Sequence, residues 1–310
     1  MKLFDLHCDT ITECSAGCKK LFDNDLHISL KKADFIEKWI QVFAIWMPDE
    51  YRGQSAIDYF DRTYSTFQNE ILENADKVVH VKNRNDFENL KRHECGAILS
   101  IEGGSALSGD ISQLERYDTL GVRLMTLTWN GANEIANGCY GSDKGGLTPF
   151  GREVIKKMNG LNMLIDVSHL NEKGFYEVAA LSEKPFVATH SDCFSVHEHR
   201  RNLKDEQIKL IIENNALMGL NFYNEFLGKD YTCMDGAYRH LTHLLDLGGA
   251  DVVAIGADFD GCVVDEALCG IDKMQALYDY LLSRNVDEKI VKKMFYENAY
   301  LFFNKMVFTN

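Results

Sequence analysis

Residues 97–102 read Ala-Ile-Leu-Ser-Ile-Glu, a short and largely apolar run that ends in a carboxylate, Glu102. Four other runs of this kind end in a histidine or an aspartate: LFDLHCD at 3–9, MLIDVSH at 163–169, FVATH at 186–190 and VVAIGAD at 252–258. Each has the length and composition of a buried strand. In a parallel barrel the strands deliver their catalytic residues to one rim, so we expect these polar side chains to meet there.

Strand-like and helix-like segments alternate along the whole chain. The remaining strand-like runs cover residues 41–47, 122–128 and 217–223, which brings the total to eight. A shorter run at 77–81 is either an extra edge strand or part of a connection. Apolar residues at helical spacing predict helices over 57–72, 152–161, 171–181, 205–214, 235–246, 274–283 and 287–303.

This alternation predicts a (β/α)8 barrel of the TIM type, as a single domain over residues 1–310. The alternative is an open doubly wound sheet, which usually places a glycine-rich phosphate turn after its first strand. Here the first strand-like run ends in His7-Cys8-Asp9-Thr10, with no glycine pair. The barrel is therefore the favoured fold.

Charge and composition argue against several classes of protein. The net charge of −14 repels phosphate backbones, so nucleic acid is not an expected partner. The amino terminus reaches a charged residue too early for a secretory signal, and no apolar stretch is long enough to span a bilayer. The nine cysteines lack regular spacing, which favours reduced thiols, and Cys8 is interpreted as a buried apolar side chain. We expect a cytoplasmic protein with no membrane partner.

The first candidate ligands are His7 and Asp9, which face the same side of a strand and can hold one cation. Imidazole and carboxylate ligands suit zinc, manganese or iron better than calcium. Glu102 has two oxygens and can bridge two cations, and Gly103 and Gly104 let the backbone come close. Taken alone, His7 and Asp9 also fit a surface turn, and Glu102 also fits a carboxylate that caps the next helix.

The second pair of candidate ligands is His169 and His190, each at the end of a strand-like run. Either one alone fits a buried core histidine, but together they can hold a second cation. Two metals a few ångströms apart can generate a hydroxide at neutral pH and polarise a carbonyl group. The joint pattern, more than any one residue, predicts a metal-dependent hydrolase.

Groups for proton transfer and substrate binding are expected at the same rim. Asp258 can accept a proton from a metal-bound water and return it to a leaving amine, and Asp260 competes for this role although it also fits a turn. Arg201 can hold a substrate carboxylate through two hydrogen bonds, whereas Arg200 fits a solvated surface residue. Tyr223 can contact the substrate through its phenol.

These motifs together resemble the membrane dipeptidases, also called renal dipeptidases. The resemblance covers nearly the whole chain, and so many matches in one order make it specific. The matching segments are HCD at 7–9, SIEGG at 100–104, GVRLMTLT at 121–128, GLTPFG at 146–151, IDVSH at 165–169, THS at 189–191, RN at 201–202, NFY at 221–223, DFDG at 258–261 and ENA at 297–299.

The resemblance implies an amidohydrolase-type barrel with two zinc ions, or with other divalent metals in their place. By this resemblance His7 and Asp9 would hold one ion. His169 and His190 would hold the other, and Glu102 would bridge the two.

The resemblance also assigns residues to the substrate. Arg201 matches the family's arginine for the substrate carboxylate, and Asp258 matches its proton-handling aspartate. The family cleaves dipeptides, often with a D-residue at the carboxyl-terminal position, and some members open β-lactam rings. After Thr-Leu-Thr, however, the mammalian members carry a histidine that contacts the reacting carbonyl, and this chain has Trp129. An indole cannot act as a base, so either Trp129 shapes a different pocket or the metals polarise the carbonyl alone.

Other functions stay open beside a dipeptidase acting on small free dipeptides. A lactonase, a phosphotriesterase, a β-lactam or ester hydrolase and a deaminase share the metal barrel. A deaminase site usually resembles one metal on a His-x-His pair, and a phosphotriesterase needs no arginine for a carboxylate. A binding protein without activity would have lost a ligand or Asp258, and all are present. A homodimer also stays open.

Overall fold

Nine parallel strands form the inner sheet of the protein, whose computed structural model describes residues 1–308. They are β1 (Lys2–Cys8), β2 (Lys38–Trp46), β3 (Val78–His80), β4 (Cys95–Glu102), β5 (Val122–Thr126), β6 (Leu164–Asp166), β7 (Val187–Ala188), β8 (Leu217–Leu220) and β9 (Val253–Ile255). All eight residues of β4 are buried, as expected of a strand that is covered on both faces.

Eight of these strands close into a barrel. β1 pairs with both β2 and β9, and β2 pairs with β4 from Trp39↔Cys95 to Trp46↔Glu102. β3 pairs with the first three residues of β4 and lies outside the closed ring. The predicted (β/α)8 barrel is therefore confirmed, and the run at 77–81 forms an edge strand.

Helices surround the barrel. They are α1 (Thr10–Gly17), α2 (Gln54–Glu73), α3 (Arg84–Glu88), α4 (Gln113–Leu120), α5 (Pro149–Leu161), α6 (Glu172–Leu181), α7 (Asp205–Glu213), α8 (Asn224–Leu227), α9 (Cys233–Asp246), α10 (Met274–Ser283), α11 (Glu288–Lys292) and α12 (Asn298–Met306). A π-helical segment, Lys293–Glu297, joins α11 to α12. Within residues 1–308 none of the helices combines the length and the apolar character that crossing a bilayer requires.

The predicted helices are confirmed, with ends that shift by at most three residues. The start of α5 follows the expected chemistry, because the Thr148 hydroxyl accepts a hydrogen bond from the Gly151 N–H and Pro149 is the first helical residue. Four short helices, α1, α3, α4 and α8, were not predicted. Each has eight residues or fewer, too few to display a clear helical period.

The strands end earlier than the apolar runs suggest. β6 ends at Asp166, three residues before His169, and β9 ends at Ile255, three residues before Asp258. His169 and Asp258 have φ angles of 65° and 58°, a left-handed conformation that a strand cannot contain. The prediction that these two side chains close their strands is therefore wrong. They lie in the loops just beyond the strand ends.

A bulge in β1 sets the direction of its last side chains. Asp5 pairs with Gln41 and Cys8 pairs with Phe43, so three steps along β1 match two steps along β2. An extra residue of this kind breaks the alternation of a strand and re-aims a side chain, often beside an active site. Cys8 is fully buried, as predicted, while His7 reaches the rim of the barrel.

Apolar side chains fill the barrel below the rim. Leu and Ile side chains from neighbouring strands meet there, and Phe302 and Phe303 of α12 pack against them. A larger apolar cluster joins the outer faces of the strands to the helices. The polar residues of the rim therefore stand on a closely packed apolar base, which limits how far they can move.

Two glycines let the backbone pack tightly beneath the rim. A Cβ atom at Gly256 would lie 1.8 Å from the carbonyl oxygen of Thr189, and a Cβ atom at Gly219 would lie 2.0 Å from the same oxygen. Thr189 directly precedes His190. The absence of side chains at both glycines therefore fixes the position of the segment that carries this histidine.

The variant Gly256→Ala tests the role of this close approach. We expect it to lower the free energy of unfolding by about 1–3 kcal/mol, because the added methyl group must displace the Thr189 backbone. Gly160→Ala is the matched control, since a Cβ atom there meets no atom within 4 Å and alanine in a helix gains about 0.5–1 kcal/mol over glycine. Denaturant unfolding measures both variants, and equal stabilities would contradict the packing argument.

Candidate metal centre

Five side chains that were predicted as metal ligands converge at the carboxyl-terminal rim of the barrel. The Nε2 atom of His7 lies 3.3 Å from Asp9 Oδ2 and 3.5 Å from Glu102 Oε2. The other oxygen of Glu102, Oε1, lies 2.9 Å from His169 Nε2 and 3.4 Å from His190 Nε2. Glu102 therefore stands between the two predicted pairs, with one oxygen toward each.

The donor atoms of this cluster fit a divalent cation. Potential ligand atoms lie within 4.8 Å of one another in three groups, among them His7–Asp9–Glu102 and Glu102–His169–His190. The Nε2 atoms of His169 and His190 are 2.9 Å apart, a contact that two unprotonated nitrogens cannot make favourably. Asp9 Oδ1 is buried and has no hydrogen-bond partner within residues 1–308. A cation would satisfy all of these atoms, and histidine with carboxylate suits zinc, manganese or iron.

The protonation states of the two pairs differ. Burial lowers the pKa of His169 to about 4, and burial together with the His7 charge holds the pKa of His190 well below its usual value. Burial works against ionisation of Glu102, but the charge of His7 and hydrogen bonds from the histidines hold its pKa well below the usual range. Burial and the charge of Glu102 raise the pKa of Asp9 to about 8. Neutral His169 and His190 beside an ionised Glu102 are the forms that bind a metal. Against the effect of burial, Glu102 and Asp9 raise the pKa of His7 well above its usual value, so a metal bound there must displace a proton.

Hydrogen bonds on the far side of each imidazole fix its orientation. His169 Nδ1 lies 3.0 Å from Asn130 Oδ1, and His190 Nδ1 lies 2.8 Å from Thr189 Oγ1. The Thr189 hydroxyl donates in turn to Asp166 Oδ2 at 2.6 Å. Partners of this kind set which ring nitrogen faces the metal. Asn130 and Asp166 were not predicted from the sequence. The acidic residue inside the apolar run at 163–169 was the available signal for Asp166.

Asp258 lies beside the cluster, with Oδ1 3.8 Å from His7 Nε2. Its other oxygen accepts a hydrogen bond from Asn221 Nδ2 at 3.0 Å, and burial raises the pKa of the carboxyl group. Asn221 was not predicted, and its own Oδ1 accepts from the Tyr223 N–H at 2.6 Å. Asn221 thereby connects the Asp258 carboxylate to the backbone of Tyr223, which directly precedes helix α8.

Asp260, the competing candidate, has a different role in the structure. Its carboxylate accepts hydrogen bonds from the Thr10 hydroxyl at 2.5 Å and from the backbone N–H groups of His27 at 2.6 Å and Ile28 at 3.4 Å. These donors tie the start of α1 and the loop before β2 to the loop after β9. A carboxylate with three donors is well satisfied and has little capacity left for a proton from a substrate.

Arg201 is buried, with 4% of its surface exposed. One terminal guanidinium nitrogen donates to the His190 carbonyl at 3.1 Å, and the group lies 5.3 Å from the Phe226 ring centroid. Its Nε has no hydrogen-bond partner within residues 1–308, although a buried donor of this kind is costly. Arg200 is exposed, as expected, but it also donates to the Cys139 carbonyl and stacks on Tyr140 at 4.7 Å.

A cavity of about 530 Å³ opens over the cluster. Its lining brings together all three predicted substrate-binding residues, Arg201, Tyr223 and Trp129, with His169 and Asp258. The position after Thr-Leu-Thr is therefore part of the cavity wall.

An aromatic pair forms one side of this cavity. The rings of Trp46 and Trp129 meet edge to face with centroids 5.0 Å apart, and Trp129 lies 6.4 Å from the His169 ring. Trp46 is the last residue of β2 and pairs in register with Glu102, so it shares the inner face of the barrel with that carboxylate. The wall beside the cluster is consequently apolar and broad.

Comparison with known proteins places the chain in a protein family. The family model described as "Membrane dipeptidase (Peptidase family M19)" matches residues 1–306. The chain is 34% identical to an uncharacterized protein in the pqqA 5' region of Klebsiella pneumoniae, over 69% of this chain and 83% of that one. It is 32% identical to an uncharacterized dipeptidase of Schizosaccharomyces pombe, over 53% of this chain and 41% of that one.

Solved structures agree with this assignment. A metallo peptidase described as a dipeptidase of family M19 superposes with a TM-score of 0.91 and 25% identity, over 99% of both chains. A metallo peptidase from Rhodobacter sphaeroides, bound to a phosphinate mimic of the dipeptide L-Ala-D-Ala, gives a TM-score of 0.89 and 24% identity, again over 99% of both chains. The expected enzyme class, a metallo-dipeptidase, is confirmed at the level of the family. The chain belongs to the membrane dipeptidase family, peptidase family M19.

Proposed function

We propose that the protein is a zinc-dependent dipeptidase that hydrolyses the peptide bond of free dipeptides, including those with a D-residue at the carboxyl-terminal position. The observation that carries this proposal is the position of Glu102 between two ligand pairs, under a cavity that Arg201 and Asp258 also line. The L-Ala-D-Ala mimic bound by the Rhodobacter sphaeroides structure of the same fold supports the choice of substrate.

The five ligands divide between two zinc ions in this proposal. His7 and Asp9 would hold the first ion, His169 and His190 would hold the second, and Glu102, which lies between the two pairs, would serve both. Divalent cations in such a site polarise a carbonyl group and lower the pKa of a water molecule.

The remaining residues position the substrate and move the proton. Arg201 offers its unpartnered Nε and the rest of its guanidinium group to the substrate carboxylate. Asp258 takes a proton from the attacking water and passes it to the leaving amine, and Asn221 keeps its carboxylate in place through the 3.0 Å hydrogen bond. Trp129 and Tyr223 form the walls against which the substrate side chains pack. A homodimer and a cytoplasmic location stay predictions.

Other hydrolases of this barrel type are less well supported. A lactonase or a phosphotriesterase acting on neutral substrates gives the buried Arg201 guanidinium no anion to bind, and a buried cation without a partner is costly. A binding protein without activity would not need the Asp258 carboxylate beside the cluster. The arginine is therefore the residue that separates the proposed dipeptidase from its relatives.

A panel of dipeptides tests the proposal directly. Each dipeptide carries L- or D-residues at either position, and hydrolysis is followed by release of free amino acids, with zinc added or removed by a chelator. We expect turnover in the presence of zinc, with tolerance of a D-residue at the second position. Failure of the zinc-loaded protein to hydrolyse any free dipeptide would overturn the proposal.

The variant Arg201→Met separates carboxylate binding from the metal chemistry. We expect kcat/KM for dipeptides to fall about a hundredfold, since two hydrogen bonds to a charged group are worth about 3 kcal/mol in total. Any hydrolysis of a neutral ester by the same protein should change little. Arg92→Met is the control, because Arg92 is exposed and precedes β4 at the opposite end of the barrel. An equal loss on both substrates would argue that Arg201 supports the fold instead.

Metal removal should lower stability as well as activity. The centre holds several buried carboxylates, Asp9, Glu102 and Asp258, whose mutual repulsion a cation relieves. At a hundredfold excess of zinc over its dissociation constant, binding adds about 2.7 kcal/mol, so a chelator should lower the melting temperature by about 5 °C. Glu102→Gln should lose most of this response. A melting temperature that stays unchanged after complete removal of zinc would contradict the assignment of these residues as ligands.

A further inference from the structure

A further charged side chain lines the same cavity as Arg201, and no role has been assigned to it. Glu13 lies in the first turn of α1 and lines the cavity together with Arg201 and Asp258. The residue is half-buried. Among residues 1–308, none donates a hydrogen bond to its carboxylate and none forms an ion pair with it. A carboxylate that is partly removed from water and lacks a partner is available to a ligand.

The order of strands separates Glu13 from Arg201. Arg201 follows β7 and donates to the His190 carbonyl, whereas Glu13 follows β1 in the first turn of α1. Around the closed ring, β1 and β7 are three strand-to-strand steps apart in one direction and five in the other. Both residues line the cavity over the cluster. A substrate that extends from Arg201 along this cavity can therefore reach Glu13.

Glu13 shares its side of the ring with aromatic groups. Burial raises the pKa of the Tyr59 phenol to about 12, and the charges of Tyr51, Asp9 and Glu13 act in the same direction. The indole N–H of Trp46, on the same side of the ring, is buried and has no hydrogen-bond partner within residues 1–308. This side of the cavity thus combines one free carboxylate with aromatic walls.

The other acids near the cavity already have partners or roles. Asp260 accepts three hydrogen bonds, Asp258 accepts from Asn221, and Asp9 belongs to the proposed metal ligands. Glu13 is therefore the carboxylate left for a positively charged group of the substrate. A free dipeptide carries one such group, the α-ammonium at its amino terminus, at the end opposite to its carboxylate.

We propose that the Glu13 carboxylate binds the α-ammonium group of the substrate and makes the enzyme selective for dipeptides with an unblocked amino terminus. This inference rests on the proposed dipeptidase function and adds a specificity residue to it. The substrate then lies between two fixed opposite charges, with its carboxylate on Arg201 and its ammonium on Glu13. Its peptide carbonyl lies over the cluster in between.

A pair of substrates that differ in the amino group tests the inference. One is L-Ala-D-Ala, and the other is N-propionyl-D-alanine, which keeps the same chain length but lacks the ammonium. Both are assayed with the zinc-loaded wild-type protein, with Glu13→Gln and with Glu153→Gln, an exposed acid on α5 that serves as the control. Glutamine keeps the shape of the side chain and removes its charge.

We expect Glu13→Gln to raise KM for L-Ala-D-Ala by about tenfold to a hundredfold, the usual effect of losing a hydrogen bond between charged groups. Its kcat/KM for N-propionyl-D-alanine should match that of the wild type, and Glu153→Gln should match the wild type on both substrates. Retention of the wild-type preference for the free amine by Glu13→Gln would overturn the inference. Hydrolysis by the wild type of neither substrate, nor of any other free dipeptide, would instead overturn the proposed function itself.

A binding measurement adds a readout that does not depend on turnover. Calorimetry compares a phosphinate mimic of L-Ala-D-Ala with the same compound lacking its amino group. We expect the amino group to tighten binding to the wild type and to have little effect in Glu13→Gln. The zinc content and melting temperature of the variant should equal those of the wild type, since the substitution keeps the backbone N–H of Glu13 that donates to the Asp9 carbonyl and the Glu13 side chain bonds to no proposed ligand. Equal dependence on the amino group in both proteins would overturn the inference.

Discussion

The site depends on one buried carboxylate. Glu102 is 3% exposed, and its two oxygens lie within 3.5 Å of imidazole nitrogens from three different parts of the ring. A carboxylate in such a place is unfavourable unless positive or donor groups surround it. The barrel supplies them by bringing His7 from one side and His169 and His190 from the other. Closure of the ring and assembly of the metal centre are therefore the same structural event.

The sequence predicts which side chains meet at the rim better than it predicts their backbone conformation. His7 and Glu102 lie at the ends of long apolar runs, and both strands extend to the rim as expected. His169 and Asp258 follow runs of equal quality, yet their backbones turn left-handed after the strands have ended. Apolar composition indicates where a chain is buried, but the hydrogen-bonded ladder ends wherever the rim loops begin, and no periodic pattern marks that point.

The supporting amides could not be predicted for a different reason. Asn130 and Asn221 bind side chains that are 39 and 37 residues away in the chain, across neighbouring loops of the rim. A single asparagine after a strand is typical of many turns. Its hydrogen-bond partner can be identified only when the strand order is known. Residues that orient other side chains are thus found by geometry, while candidate ligands are found by residue type and position.

The acids of the rim differ in how many hydrogen bonds their carboxylate oxygens accept. Asp166 accepts hydrogen bonds from the hydroxyls of Thr126 and Thr189 and from two backbone N–H groups, and Asp260 accepts from three donors. Both acids therefore hold the structure together. Asp9 keeps one buried oxygen without a hydrogen-bond partner. The Glu13 carboxylate accepts no hydrogen bond from any side chain or backbone group within residues 1–308. A free dipeptide spans at most about 7 Å when extended, and in the proposed binding mode its two charged ends pair with Arg201 and Glu13. In that mode a longer peptide would leave one of these charges unpaired beside the cavity, and this penalty would favour dipeptides.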